Sequence, residues 1–171
     1  MELTINSKKH ESYTLYTESF IQSDYLEGFR TQVLHHEQII GEVSVYLAPK
    51  GLCNEALLVY LDKIELLAVE LFDLAQDQKR VAKQIQAHPF AYLTNLNVQP
   101  DYQNIGIGSL LLKEVETQLQ AKQIPNLYLV NVADTSRDQQ KLHHFYTHNY
   151  FTYLIPQHPS KPAVMHRGIE L

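Results

Sequence analysis

The chain has 171 residues, 44% hydrophobic and 19% charged, with a formal net charge of −5, the makeup of one folded domain rather than of a disordered or low-complexity protein. Its Lys and Arg are dispersed and outnumbered by Asp and Glu, which argues against a surface for phosphate backbones and so against a nucleic-acid partner. A lone cysteine, Cys53, cannot staple a secreted scaffold, "MELTINSKKH" holds no apolar leader, and the apolar stretch 56–75 is broken by Asp62, Lys63, Glu65, Glu70 and Asp73. The expectation is a cytoplasmic protein without a membrane span.

Residues 12–18 predict a first short strand. The runs 25–34 and 38–47 are rich in β-formers and predict a hairpin that turns at His35, His36 and Glu37. Pro49 and Gly51 close that run, and Asn54 stands where a helix N-cap is wanted. From Glu55 the apolar positions Leu57, Leu61, Ile64, Ala68, Leu71 and Ala75 alternate spacings of four and three, which is a helical face. An unbroken helix to Ala87 would be about 50 Å long, more than a domain of this size covers, so two helices with a break near "AQDQKR" are expected. The second ends before Pro89. Their apolar face covers the sheet in the simplest reading, and its breadth leaves room for a homodimer contact or a lid over a pocket.

"FAYLTNLNV", residues 90–98, is β-branched, aromatic and free of charge, as a central strand buried on both sides would be. A helix follows over 109–123 with Leu111, Leu112, Val115 and Leu119 turned inward. After a turn at Pro125 and Asn126 comes a buried strand over 127–133. Ser136 with Gln139 three residues later is a capping-box pair for a helix to about His148. "YFTYLI" and "AVMHRGIEL" read as two last strands around a loop from Pro156 to Pro162. Strand, helix, strand, helix, strand implies parallel strands joined by right-handed crossovers. The fold is therefore α/β with mixed strand directions, in a single domain spanning 1–171.

The chemistry concentrates in "VQPDYQNIGIGSLLLKEV", residues 98–115. A helix start leaves its first N–H groups without internal partners and carries roughly half a positive charge, so anions bind there. Glycine at 106 and 108 permits backbone conformations closed to other residues and removes a Cβ that would hold a phosphate away. On the glycines alone, a tight strand-to-helix turn explains the pattern equally well. Two nucleotide-binding patterns are disfavoured. The dinucleotide fingerprint needs a third glycine where Leu111 stands and an acid where the next strand ends in Asn131, and an NTPase loop needs Lys where Ser109 follows Gly108.

"LNVQPDYQNIGIGSLLL" resembles the acyl-CoA-binding signature of the GNAT superfamily of N-acyltransferases, with Val98, Pro100, Tyr102, Gln103, Gly106 and Gly108 in register. "HHFYTHNYF" is similar to that family's later F-Y-x-x-x-G-F segment, and "MHRGIEL" to its last strand. The resemblance covers roughly 90–171. It implies a mostly antiparallel twisted sheet whose central parallel pair splays to hold acyl-CoA, flanked by helices. It also implies that Leu96, Asn97 and Val98 offer backbone groups to the pantetheine arm, and that Gln103, Asn104, Ile105, Gly106, Ile107, Gly108 and Ser109 wrap the pyrophosphate. As these are main-chain roles, Asn104, Ile105 and Ile107 are expected to tolerate substitution and the two glycines are not. Acetyl-CoA is the implied co-substrate, and an amine-bearing small molecule or peptide the acceptor.

Acyl transfer to an amine needs a neutral nucleophile, a polarised thioester carbonyl and a proton for the departing thiolate. The resemblance gives the last role to Tyr146, the tyrosine of the F-Y pair, against a plain reading as a packed core aromatic. A backbone N–H at Val98 or its neighbour is the carbonyl polariser. The central strand carries no Asp or Glu, with Tyr92 where relatives can have the acid. The proton then passes through water to His88, Glu65 or Glu70, or the acceptor binds neutral. Gln139 stands where many relatives have a cofactor-contacting Asn, and Tyr150 stands at the family's glycine, so Asn149 is expected to take the left-handed position that ends the helix. His144 and His148 are spaced as metal ligands, but without a Glu or Cys to complete a site they read as a solvated face, and no metal is expected. The alternative to an enzyme is a module that binds acyl-CoA without turnover.

Overall fold

The computed structural model describes residues 2–4, 12–23, 26–48, 89–131, 136–155 and 163–171. The predicted helical stretch 54–87 lies outside these residues, as do Cys53, Asn54, Glu65, Glu70, His88 and the loop 156–162. The described strands are β1 (Glu2–Thr4), β2 (Ser12–Ser23), β3 (Leu26–His35), β4 (Gln38–Ala48), β5 (Phe90–Val98), β6 (Asn126–Asn131), β7 (Thr152–Ile155) and β8 (Ala163–Gly168). The helices are α1 (Ile107–Ala121) and α2 (Ser136–His148), with a 3-10 turn at Pro100–Tyr102.

Strand order in the sheet is β1-β2-β3-β4-β5-β6-β8-β7. β1 with β2, β2 with β3, β6 with β8 and β7 with β8 run antiparallel, and the sheet is mixed, with one parallel pair. The crossover through α1 accounts for that pair, since β5 and β6 are neighbours in the sheet joined by a helix. The contacts divide the chain into two compact units, Met1–Tyr46 with Leu93–Gln118 and Leu47–Tyr92 with Leu119–Leu171.

In the first unit, β2 runs five residues past the predicted 12–18 and pairs with β3 in register from Thr14↔Leu34 to Ile21↔Glu27. The β3–β4 turn is shorter than the three-residue turn expected. His35 closes β3, and only His36 (φ 48) and Glu37 (φ 66) form the turn. Two consecutive left-handed residues match the right-handed twist of the flanking strands. Tyr13, Leu15, Phe29 and Val33 are buried on these strands, as are Ile107, Leu111, Leu112 and Val115 of α1. A Cβ at Gly41 would meet Ile107 and Leu111 at 2.9 and 3.3 Å, so the missing side chain there lets α1 sit close on β4.

β5 has the predicted bounds but is fully buried only over Phe90–Leu93. From Thr94 its burial alternates, with Asn95 and Asn97 exposed, so one face of its second half is open. The four inward positions predicted for α1 are all buried, and the helix begins at Ile107, two residues earlier than expected.

In the second unit, β6 and β8 pair from Asn126↔Gly168 to Asn131↔Ala163. Leu127, Leu129, Phe151, Ala163 and Met165 are buried there. Both helices end in the same motif. At α1, Ile124 N–H reaches Leu119 O (2.9 Å) and Gln123 N–H reaches Gln120 O (3.0 Å), with Gln123 at φ 55. At α2, Phe151 N–H reaches Tyr146 O (3.0 Å) and Tyr150 N–H reaches Thr147 O (3.1 Å), with Tyr150 at φ 66. These are Schellman caps, with Phe151 packing back on Tyr146 at 5.4 Å between ring centres. The left-handed residue is Tyr150, not Asn149 as expected. Asn149 keeps its N–H on the Phe145 and Tyr146 carbonyls and gives its side-chain amide to Phe145 O at 2.8 Å, which leaves the reversal to the next residue.

Candidate active site

The connection from β5 to α1 is built by a short series of bonds. Gln99 fastens the strand end to β4, its N–H on Ile40 O (2.9 Å) and its side-chain amide on Ile39 O (2.6 Å). Pro100 opens the 3-10 turn, where a missing N–H costs nothing. Tyr102 N–H then bonds Gln99 O and Gln103 N–H bonds Pro100 O. Gln103 is extended (φ −73, ψ 156) and sends its side-chain amide back to Val98 O at 3.0 Å. The Tyr102 hydroxyl lies 3.0 Å from His35 Nδ1, so the residue expected in the hairpin turn is a strand-end side chain that fastens the 3-10 turn.

Beyond Gln103 the backbone turns twice through the left-handed region, at Asn104 (φ 62) and Gly106 (φ 96). Asn104 is therefore less free to change than its main-chain role suggested, because only Gly, Asn and Asp adopt that conformation readily. Around Gly106 a Cβ would meet nothing within 4 Å. A side chain there would be strained by the backbone at φ 96, and the space beside it is open. Gly108 differs, being the second residue of α1, where helical backbone asks for no glycine.

The first bond of the helix runs from Leu110 N–H to Gly106 O at 3.0 Å. The N–H groups of Ile107, Gly108 and Ser109 precede it and have no partner within the helix. No acidic side chain occupies this first turn, so the helix's own residues do not offset the positive end of its dipole. The expected pyrophosphate segment, Gln103 to Ser109, is thus one continuous arc of loop and first helical turn. Gln103, Asn104, Ile105 and Gly106 are exposed and Ile107 is buried beneath them. Leu96 and Val98 are half-buried and Asn97 exposed on the strand leading in. Donors at a helix start of this kind fit a diphosphate.

Tyr146 and Gln139 lie on α2, in the other unit, seven residues apart on one helical face. Gln139 is half-buried and Tyr146 is 8% exposed. Burial pushes the Tyr146 phenol up to about 12. Tyr92, buried as well, is pushed up to about 12, first by burial and then by the Tyr146 charge. Both phenols therefore keep their protons throughout the physiological range, which suits an acid and not a base. His143, on the same helix, lies 2.7 Å by Nδ1 from the Tyr153 hydroxyl. Among the described residues no three His, Cys, Asp or Glu converge as a metal site, and no helix is long and apolar enough to cross a membrane.

A mixed sheet with a parallel pair, flanked by helices, matches the fold of solved GNAT-family structures. The chain belongs to the GNAT acetyltransferase family, whose sequence model, "Acetyltransferase (GNAT) family", matches residues 4–150. Proteins of this family use acyl-CoA. No curated protein sequence matches the chain significantly. Among solved structures it is similar to a GNAT-family acetyltransferase from Staphylococcus aureus Mu50 (16% identity, 84% of this chain and 69% of that one, TM-score 0.51). It is also similar to a putative GNAT acetyltransferase from Desulfovibrio desulfuricans (11%, 84% and 69%, TM-score 0.53). A third similar structure is an agmatine N-acetyltransferase mutant in its apo form (10%, 83% and 74%, TM-score 0.55). At such identities the likeness is one of fold.

Proposed function

We propose that this protein is an N-acetyltransferase that moves the acetyl group of acetyl-CoA to a primary amine of a small molecule or peptide by direct attack, with residues 1–171 acting as one catalytic domain. The observation that carries the reading is the start of α1, where Gly106 at φ 96 leaves open space beside three helix N–H groups without helical partners. In this reading Gln103 to Ser109 hold the pyrophosphate by their main chain, and Leu96, Asn97 and Val98 line up the pantetheine arm. Gln139 adds a cofactor contact. An N–H at Val98 or its neighbour polarises the thioester carbonyl as negative charge develops on its oxygen.

Tyr146 delivers its phenolic proton to the departing sulfur. A phenol held near 12 is always protonated when the thioester arrives, and it gives up the proton only as charge collects on sulfur. The neighbouring Tyr92 cannot supply the missing base, because its own proton is held as tightly. The test is thiol release from acetyl-CoA with a panel of amines, comparing the wild type with Tyr146→Phe. Release with some amine, reduced about 100-fold or more in the variant, supports the assignment, in line with the usual worth of a positioned acid. Equal rates in both proteins would remove Tyr146 from the mechanism, and CoA binding without release from any amine would support a non-catalytic module instead.

A further inference from the structure

The acceptor amine reaches a protein at neutral pH as an ammonium ion, and it must lose a proton before its nitrogen can attack. β5 carries no carboxylate, but the strand beside it does. β4 and β5 are tied by Gln99 N–H to Ile40 O (2.9 Å) and by the Thr94 hydroxyl to Ser44 O (3.3 Å). Between these two ties, a Cβ at Gly41 would lie 3.4 Å from Asn97 O, and Asn95 Nδ2 donates to Glu42 Oε1 at 3.1 Å. Glu42 is thereby held alongside residues 95–97 of β5. Gly41 faces α1, and side chains alternate along a strand, so Glu42 points to the opposite face of the sheet. Asn95 and Asn97 are exposed and Glu42 is half-buried. Among the described residues Glu42 forms no ion pair. Its charge is thus oriented by a neutral amide, and among the described residues it meets no cation.

We infer that Glu42 is the proton acceptor for the amine substrate, a catalytic carboxylate on β4 that Asn95 positions beside the stretch of β5 expected to hold the thioester arm. The inference rests on the acyl-transfer reading above. An ammonium N–H bond breaks and its proton goes to a Glu42 oxygen. The freed lone pair on nitrogen forms the bond to the carbonyl carbon. The carbon–sulfur bond then breaks with its electrons on sulfur, which takes the Tyr146 proton. The second proton lost by nitrogen leaves to water, as does the one held by Glu42, and Tyr146 regains its own from water.

The test compares wild type, Glu42→Gln and Asn95→Ala, using an alkylamine that is charged at pH 7 and hydroxylamine, which is largely neutral there. Glu42→Gln keeps shape and hydrogen bonding but cannot accept a proton. It should lower kcat/KM for the alkylamine by about 100-fold, the scale of general-base catalysis, while affinity for CoA stays within twofold. With hydroxylamine the loss should shrink to a few fold. Asn95→Ala should show the same pattern at about a tenth of the size, in kcat rather than in KM for acetyl-CoA. Glu42→Gln with wild-type kcat/KM for the alkylamine overturns the role of Glu42 and leaves the acyl-transfer reading standing. Equal losses with both amines also overturn it, because a neutral nucleophile needs no proton removed before it attacks. Wild-type protein that releases no thiol with any amine overturns the acyl-transfer reading and this role with it.

Discussion

Two regions of the molecule bend the chain through the same left-handed conformation and fill it differently. At the start of α1 the position is Gly106, at φ 96, with open space around it. At the end of α2 it is Tyr150, at φ 66, a residue 79% exposed with Arg167 5.7 Å from its ring centre. The second position is the one most helix ends give to glycine, yet a bulky residue occupies it. A left-handed turn alone therefore does not force glycine in this protein. What distinguishes Gly106 is its place in the segment proposed to hold the pyrophosphate, where in that reading a side chain would stand in the path of the ligand as well as strain the backbone.

The sharpest way to break this comparison is to put a β-branched residue at the first position. Gly106→Val adds backbone strain of about 1–3 kcal/mol and a side chain where a phosphate would rest. Affinity for CoA measured by calorimetry should fall at least about 100-fold, equivalent to about 2.7 kcal/mol, and circular dichroism should show the fold retained. Affinity within threefold of wild type would mean that the arc does not hold the cofactor.

A smaller effect probes what keeps the arc in place. Tyr102→Phe removes only the hydroxyl that meets His35 Nδ1, and a hydrogen bond of this kind is worth about 1 kcal/mol. CoA should bind about fivefold more weakly, consistent with that loss, and kcat with saturating acetyl-CoA should be unchanged. If the variant instead loses stability with CoA affinity intact, the bond between hairpin and 3-10 turn serves the fold alone.

How much of this could be read beforehand differs between the two regions for physical reasons. β5 was legible to the residue because "FAYLTNLNV" has a strand's composition and ends at Val98, two residues before Pro100, and the inward face of α1 followed from spacing. The start of α1 fell two residues early because a helix begins where a carbonyl accepts its first bond, here Gly106 O, and not where the apolar face begins. The mixed sheet was legible from element order. β1 and the extension of β2 past residue 18 were not, since edge pairing depends on a partner strand rather than on local pattern. The pairs His35 with Tyr102, 67 residues apart, and Glu42 with Asn95, 53 apart, leave no periodic trace, and only the folded sheet brings them together. Exchange of the left-handed role from Asn149 to Tyr150 was hidden for a similar reason, because propensity favours Asn there while the six-residue cap geometry selects the next position.

That exchange supplies the smallest and most discriminating effect. Tyr150→Gly relieves a left-handed penalty of about 1–2 kcal/mol but gives up about 0.5–1 kcal/mol to the greater freedom of glycine in the unfolded chain. It also loses a cation–π contact worth about 0.5 kcal/mol at an exposed site. At mid-range the balance is a gain of about 0.25 kcal/mol, so the melting temperature should rise by about 0.5–1 °C for a chain of this size, with CoA affinity unchanged. A fall in melting temperature would show that the Arg167 contact outweighs the strain and that the tyrosine is there for packing. A change in CoA affinity at constant stability would carry the argument further, because it would make the end of α2 part of the ligand's surroundings and erase the contrast between a turn kept open for a ligand and a turn that only closes a helix.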